Sequence, residues 1–93
     1  MLAIKETKEK NKYNVTDDKI VFEAKDGETA LGFAVCEIKN NLFVIEKIDC
    51  DDELIFDSIK RTALNYAVNR NIIEADFLGK PLDIVEFFSR KCH

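Results

Sequence analysis

The sequence is poor in the residues that build metal centres and nucleophilic sites: it has one histidine, at the last position, and three cysteines. Cys36, Cys50 and Cys92 are an odd number without metal-ligand spacing, and His93 lacks the ordered scaffold that a zinc site or a Cys–His pair requires. Cys36 falls inside an apolar strand pattern, the usual place of a small buried thiol. Positive charge is also scarce. A net charge of −4 opposes broad binding to nucleic acid or anionic membranes, because phosphate attraction needs clustered Lys and Arg. The basic residues present gather in "KETKEKNK", where Glu6 and Glu9 interrupt them, the pattern of a solvated face. No apolar run approaches the ~20 residues that span a bilayer, and no signal-peptide pattern precedes the first strand, so a cytoplasmic protein is expected.

What remains is the composition of an ordinary globule, 46% hydrophobic and 34% charged. Ninety-three residues are expected to form one domain, 1–93. A chain of this length buries only roughly two-thirds of its unfolded surface, which makes a homodimer a live expectation.

Residues 1–15 open with Leu2 and Ile4 alternating with polar neighbours, then become charged, as in a short strand or frayed lead-in. In "KIVFEA", Ile20, Phe22 and Ala24 alternate inward against Val21 and Glu23, and Asp26-Gly27 supplies a hairpin turn. "TALGFAVCEI" is apolar on both faces, with Leu31, Phe33 and Val35 on one and Ala34, Cys36 and Ile38 on the other. That pattern predicts a central strand covered on both sides for part of its length. Asn40-Asn41 makes the next turn, since Asn tolerates the left-handed conformation, and "LFVIEKIDC" returns antiparallel.

A helical pattern starts near Asp52. Asp51 or Asp52 can cap its free N–H groups, and Glu53 suits the positive end of its dipole. Ile55, Phe56, Ile59, Ala63, Tyr66 and Ala67 form its apolar stripe, whereas Leu54, Leu64 and Val68 fall on the opposite side beside the i,i+4 pair Asp57–Arg61. Those three residues are the case for self-association, unless the C-terminal helix covers them. Asn71 suits the left-handed position after the helix, and 72–77 reads as a strand parallel to 42–50. After Gly79, Pro81 fits the first turn of a last helix, "LDIVEFFSR", docked by Phe87 and Phe88. The fold class is α+β: an antiparallel meander, a crossover helix, a parallel last strand and a C-terminal helix.

Over roughly residues 19–77 this order and the local sequence resemble the GCN5-related N-acetyltransferases. "GETALGFAVCEI" resembles that family's second and third strands. "LNYAVNRNI" resembles the end of its main helix, with Ala67 and Asn71 at the family's A-x-x-x-G spacing. The resemblance implies an acetyl-coenzyme A site at an Arg/Gln-x-x-Gly-x-Gly/Ala loop between the fourth strand and that helix, where backbone N–H groups bind the pyrophosphate. Here the loop falls on 51–56. Asp51 stands at the cation's position, Leu54 and Phe56 stand at the glycines', and carboxylates crowd the donors. The chain also ends too soon after Phe77 for the family's last two strands.

The resemblance therefore implies an acetyltransferase-like protein of weak or no acetyl-coenzyme A-dependent N-acetyltransferase activity. A non-catalytic module that dimerises or binds a partner, and an unrelated α+β domain of the same order, are the alternatives. The cofactor contacts it implies are the main chain of Ile48, Asp49 and Cys50 with loop residues Asp51 and Asp52; the catalytic candidates are Glu46 and Cys50. Glu46 lies on the strand that supplies a general base in some acetyltransferases, although a surface glutamate is the plainer reading. Cys50 sits at a strand end near a helix N-terminus, with three acids beside it. No metal is expected, and the acceptor molecule is not identified.

Overall fold

The structure, a computed structural model, describes residues 1–89, so Cys92 and His93 lie outside the described residues. Strands β1 (Leu2–Thr7), β2 (Ile20–Asp26), β3 (Thr29–Lys39), β4 (Leu42–Cys50), β5 (Glu74–Phe77) and β6 (Lys80–Asp83) form one sheet in sequential order. Every neighbouring pair is antiparallel except β4 with β5, which is parallel, as the crossover pattern predicts. Helix α1 (Glu53–Val68) makes that crossover, a 3-10 turn (Lys10–Tyr13) lies between β1 and β2, and helix α2 (Ile84–Ser89) follows β6.

Local sequence explains the joints. Asn40 and Asn41 both have positive φ, 49° and 65°, between the paired residues Lys39 and Leu42, as a two-residue hairpin of opposite twist requires. Gly27, at φ 63°, serves the β2–β3 turn. At the end of α1, Asn71 takes φ 63°. The N–H groups of Ile72 and Asn71 donate back to the carbonyls of Ala67 and Val68, the paired closure of a left-handed helix end. Gly32 is required by close approach: a Cβ there would lie 2.7 Å from Cys50 Cβ and 2.8 Å from the Asp49 carbonyl oxygen.

Helix α1 packs on one face of β1–β4, and Ile59, Ala63, Leu64 and Ala67 are buried against Phe22, Ala24, Ala34, Cys36, Phe43 and Ile45. The placement of Leu64 on the outer side is therefore corrected: Leu64 is fully buried, and Val68 packs against the core edge. The apolar stripe is wider than the assigned one because α1 lies across four strands and also meets α2, whose Ile84 belongs to the same buried cluster. Only Leu54, 80% exposed, remains on the surface, so the dimer expectation loses most of that support.

The opposite sheet face is covered as well. Val21 and Glu23, expected outside, are 0% and 5% exposed, and side chains of the 3-10 turn reach Glu23. Tyr13 stacks on Phe33 with ring centroids 4.1 Å apart, and its hydroxyl donates to Glu23. Lys12 Nζ completes the cluster at 2.7 Å from the same carboxylate. The parallel strand is also not the last. Leu78, at φ 52°, and Gly79 turn the chain back, so residues 80–83 pair with β5 and Pro81 sits in a strand, not in a helix. Proline is tolerated there because β6 is an edge strand. One short strand thus follows β5 where none was expected.

Two outcomes follow from this packing. Leu64→Ala should cost about 2–5 kcal/mol in denaturant unfolding, whereas Leu54→Ala should stay within about 0.5 kcal/mol. Acid sensitivity should trace to Glu23. Burial opposes its ionisation, but the Lys12 ammonium and the Tyr13 hydroxyl outweigh this and hold the carboxyl below the usual carboxylate range. Its stabilisation is then present above the ordinary carboxylate pKa of about 4.3 and is lost as pH falls through the lower folded value. Tyr13 is shifted upward by burial and by Glu23, so its contribution is present below about pH 10 and declines at higher pH. Glu23→Gln should lower stability at pH 7 and flatten the acid limb of a pH–stability profile.

Candidate functional site

The site suggested by the sequence lies where β4 ends and α1 begins. β4 pairs with β3 along its whole length, but with β5 only from Leu42↔Glu74 to Ile45↔Phe77. There the Leu78 N–H donates to the Ile45 carbonyl at 3.0 Å, and the Gly79 N–H to Asp76 Oδ1 at 2.7 Å, as the chain swings into β6. Residues 46–50 consequently have no strand on that side among the described residues. The main chain of Ile48, Asp49 and Cys50 belongs to this free edge.

A bulge marks the point of departure. Val35 faces Lys47 and Cys36 faces Ile45, which makes Glu46 the extra residue. Its carboxylate is engaged: Lys19 Nζ donates to Glu46 Oε2 and to Glu37 Oε1, each at 2.7 Å. Hydrogen bonding to Lys19 holds Glu37 below the usual carboxylate range, and the two carboxylates hold the Lys19 ammonium well above its ordinary pKa. Glu46 is therefore an ion-paired carboxylate pinning a bulge, and it would have to leave Lys19 to take a proton. Sequence reading did not find Lys19. It lies far from both partners in the chain, and only the β2–β3–β4 register brings them together.

Beyond the bulge the side chains alternate. Ile48 and Cys50 pack against the core cluster under α1, opposite Ala34 and Gly32. Lys47 points to the other face, where its ammonium lies 5.5 Å from the Phe33 ring centroid. The Cys50 thiol is half-buried and 3.5 Å from the Asp52 carbonyl oxygen. The one histidine of the sequence lies outside the described residues.

The loop that follows is occupied by its own side chain. Asp52 is extended at the helix N-cap, and its Oδ1 accepts from the N–H groups of Leu54 at 2.8 Å and Ile55 at 3.2 Å. Asp51 and Glu53 are exposed, adding negative charge in front of the helix. Leu54 projects into solvent, while Phe56 turns inward and meets Phe77 edge-on at 6.5 Å. On the next turn the Lys60 ammonium lies 4.1 Å from the Phe77 ring centroid and 4.9 Å from that of Phe87, which ties α1 to β5 and α2. Tyr66 sits as expected in packing, edge-on to Phe22 at 5.2 Å. Among the described residues no group of three or more His, Cys, Asp or Glu side chains is placed to hold a metal ion. No described helix is long and apolar enough to cross a membrane.

The sequence matches no protein-family model and no curated protein. Solved structures do match. The ribosomal-protein-S18-alanine N-acetyltransferase of Escherichia coli superimposes with a TM-score of 0.68 at 9% identity, covering 83% of this chain and 66% of that one. The IAA acetyltransferase of Bacillus cereus gives a TM-score of 0.66 at 14% identity, covering 83% of this chain and 65% of that one. The chain thus spans about two-thirds of the length of these two structures, and the likeness is one of fold. Meander, crossover helix and parallel fifth strand together make this the fold of the GCN5-related N-acetyltransferases.

Proposed function

We propose that the chain is an acetyltransferase-like protein whose acyl-cofactor position is blocked by its own helix cap, with weak or no acetyl-coenzyme A-dependent N-acetyltransferase activity. The observation that carries this reading is the Asp52 carboxylate on the N–H groups of Leu54 and Ile55. A helix N-terminus binds pyrophosphate through those same donors, and here a fixed anion already holds them. Asp51 and Glu53 flank it, so an incoming pyrophosphate meets three carboxylates and, within the loop residues 51–56, no cation. Each such pair opposes binding by about 1 kcal/mol in water and by more when desolvated.

The free edge of β4 favours some residual affinity. The main chain of Ile48, Asp49 and Cys50 is available to an extended amide-bearing arm, which supplies part of the binding energy without the phosphates. If the protein is active, Glu46 would serve as a base only after exchanging Lys19 for solvent or substrate, and the acceptor is a small molecule not yet identified. The alternative, a non-catalytic module that binds a partner or a second copy of itself, shares the blocked loop and differs in having no cofactor affinity.

Calorimetric titration of acetyl-coenzyme A at low salt tests the proposal. A dissociation constant weaker than about 1 mM is expected. Asp51→Arg combined with Asp52→Gly supplies a cation and frees two donors, and should tighten binding by at least about tenfold, while the lost cap, with glycine in its place, costs only roughly a few tenths of a kcal/mol of stability. Low-micromolar binding by the unmodified protein would overturn the proposal, as would a double variant that stays folded and gains nothing.

A further inference from the structure

The sheet has two outer edges, and they are finished differently. β6 is four residues long and carries Pro81, which removes a main-chain donor from the strand. β1 has six residues, with no proline, no glycine and no bulge: its register with β2 runs unbroken from Leu2↔Asp26 to Thr7↔Val21. The next two pairs of the meander, β2 with β3 and β3 with β4, are each interrupted by a register shift. Residues of an antiparallel ladder turn their N–H and C=O groups alternately to one side and the other. β1 thus presents a regular row of main-chain groups outward, with no strand beside them among the described residues.

A groove of about 410 Å³ follows that edge. Lys5 and Glu6 both line it although they alternate to opposite faces, which places the groove along the open side of the strand. Its walls carry Lys5, Lys8 and Lys25 with Glu6, Glu9 and Glu23, equal numbers of each sign. Such a surface favours no partner of a single charge sign, but it complements a copy of itself. Met1 and Leu2 are exposed at the same edge, and Ile4 is only half-buried by the core it packs against.

We infer that β1 is a pairing edge for a second copy of this chain, joined antiparallel about a two-fold axis perpendicular to the sheet. The two sheets then become one. Symmetry restricts the register, because directly opposed residues point to the same face and a residue at the axis meets itself. Centring the pair on Lys5 or Glu6 sets like charges directly opposite, which is destabilising. Centring it on Ala3 pairs only Leu2, Ala3 and Ile4 within the strand. Centring it on Ile4 pairs residues 2–6: Ile4 meets Ile4, Leu2 meets Glu6, and Ala3 meets Lys5. The small side chain of Ala3 leaves room for the lysine stem to lie across it. This surface is separate from the outer side of α1, and its use does not depend on whether acetyl-coenzyme A binds.

Sedimentation equilibrium of the full chain, from about 1 μM to about 500 μM, tests this. A strand pair of this length is smaller than a standard interface, so a reversible dimer with a dissociation constant of roughly 10–100 μM is expected. Ala3→Lys, at an exposed position, sets a lysine opposite Lys5 on both sides of the axis and should weaken association at least about tenfold. Lys80→Glu, on the other outer edge, should leave association unchanged. Under mild oxidation Ile4→Cys should form a disulfide joining position 4 of one copy to position 4 of the other, identified by peptide mass mapping. A protein that stays monomeric at the highest concentration would overturn the inference. So would a dimer that Ala3→Lys leaves intact, that Lys80→Glu breaks, or in which position 4 forms no cross-link.

Discussion

Strand β4 governs the molecule, because it joins the antiparallel meander on one edge to the parallel strand reached by the crossover on the other. The antiparallel side is complete from Leu42 to Cys50, whereas the parallel side stops at Ile45. A parallel partner must come from a crossover, and the residues of α1 are spent making it. The helix must therefore start directly after Cys50, close to the free edge of β4. That requirement explains why the loop is short, why Asp52 is placed to cap it, and why Gly32 must leave space for Cys50.

The two faces of the sheet are covered by different physics. Under α1 the contact is apolar, with small residues Ala63 and Ala67 letting the helix approach and Leu64 and Ile59 filling the space between. On the other face a single 3-10 turn replaces a helix. It holds by an aromatic stack and a buried carboxylate with a lysine and a tyrosine, not by apolar area. Such a cover depends on complete pairing, since an unpaired buried carboxylate is costly, and it leaves the ends of the face open. The groove beside β1, lined by Lys5, Lys8 and Lys25 together with Glu6, Glu9 and Glu23, is one of those open ends.

The meander, the crossover and the parallel strand are legible in the sequence because each rests on a local signal: alternation, paired Asn, an acidic helix start, an Asn after the helix. What is not legible depends on contacts between distant segments. Glu23 looks like part of an exposed face until Tyr13 and Lys12 reach it, and Leu64 lies outside the apolar stripe until the core cluster that includes Ile84 is assembled. The β5–β6 turn hides because the first of its two positive-φ residues is Leu78, where Asn or Gly is usual, and because Pro81 reads as a helix start. At the site, the cap itself follows from the residue types at 51–53. The engagement of Glu46 by Lys19 does not, since it needs the bulge and the three-strand register together.

Asp52 spends two donors of the helix N-terminus on capping, and the blocked site proposed for this fold rests on that contact. Comparing Asp52→Ala with Asp51→Ala by urea unfolding at neutral pH and moderate salt tests it most directly. The account predicts that Asp52→Ala loses about 1 kcal/mol, the value of an N-cap, while Asp51→Ala stays within about 0.5 kcal/mol. Equal losses, or a more stable Asp52→Ala protein, would contradict it, because the carboxylate would then be strained at the helix start instead of satisfying it.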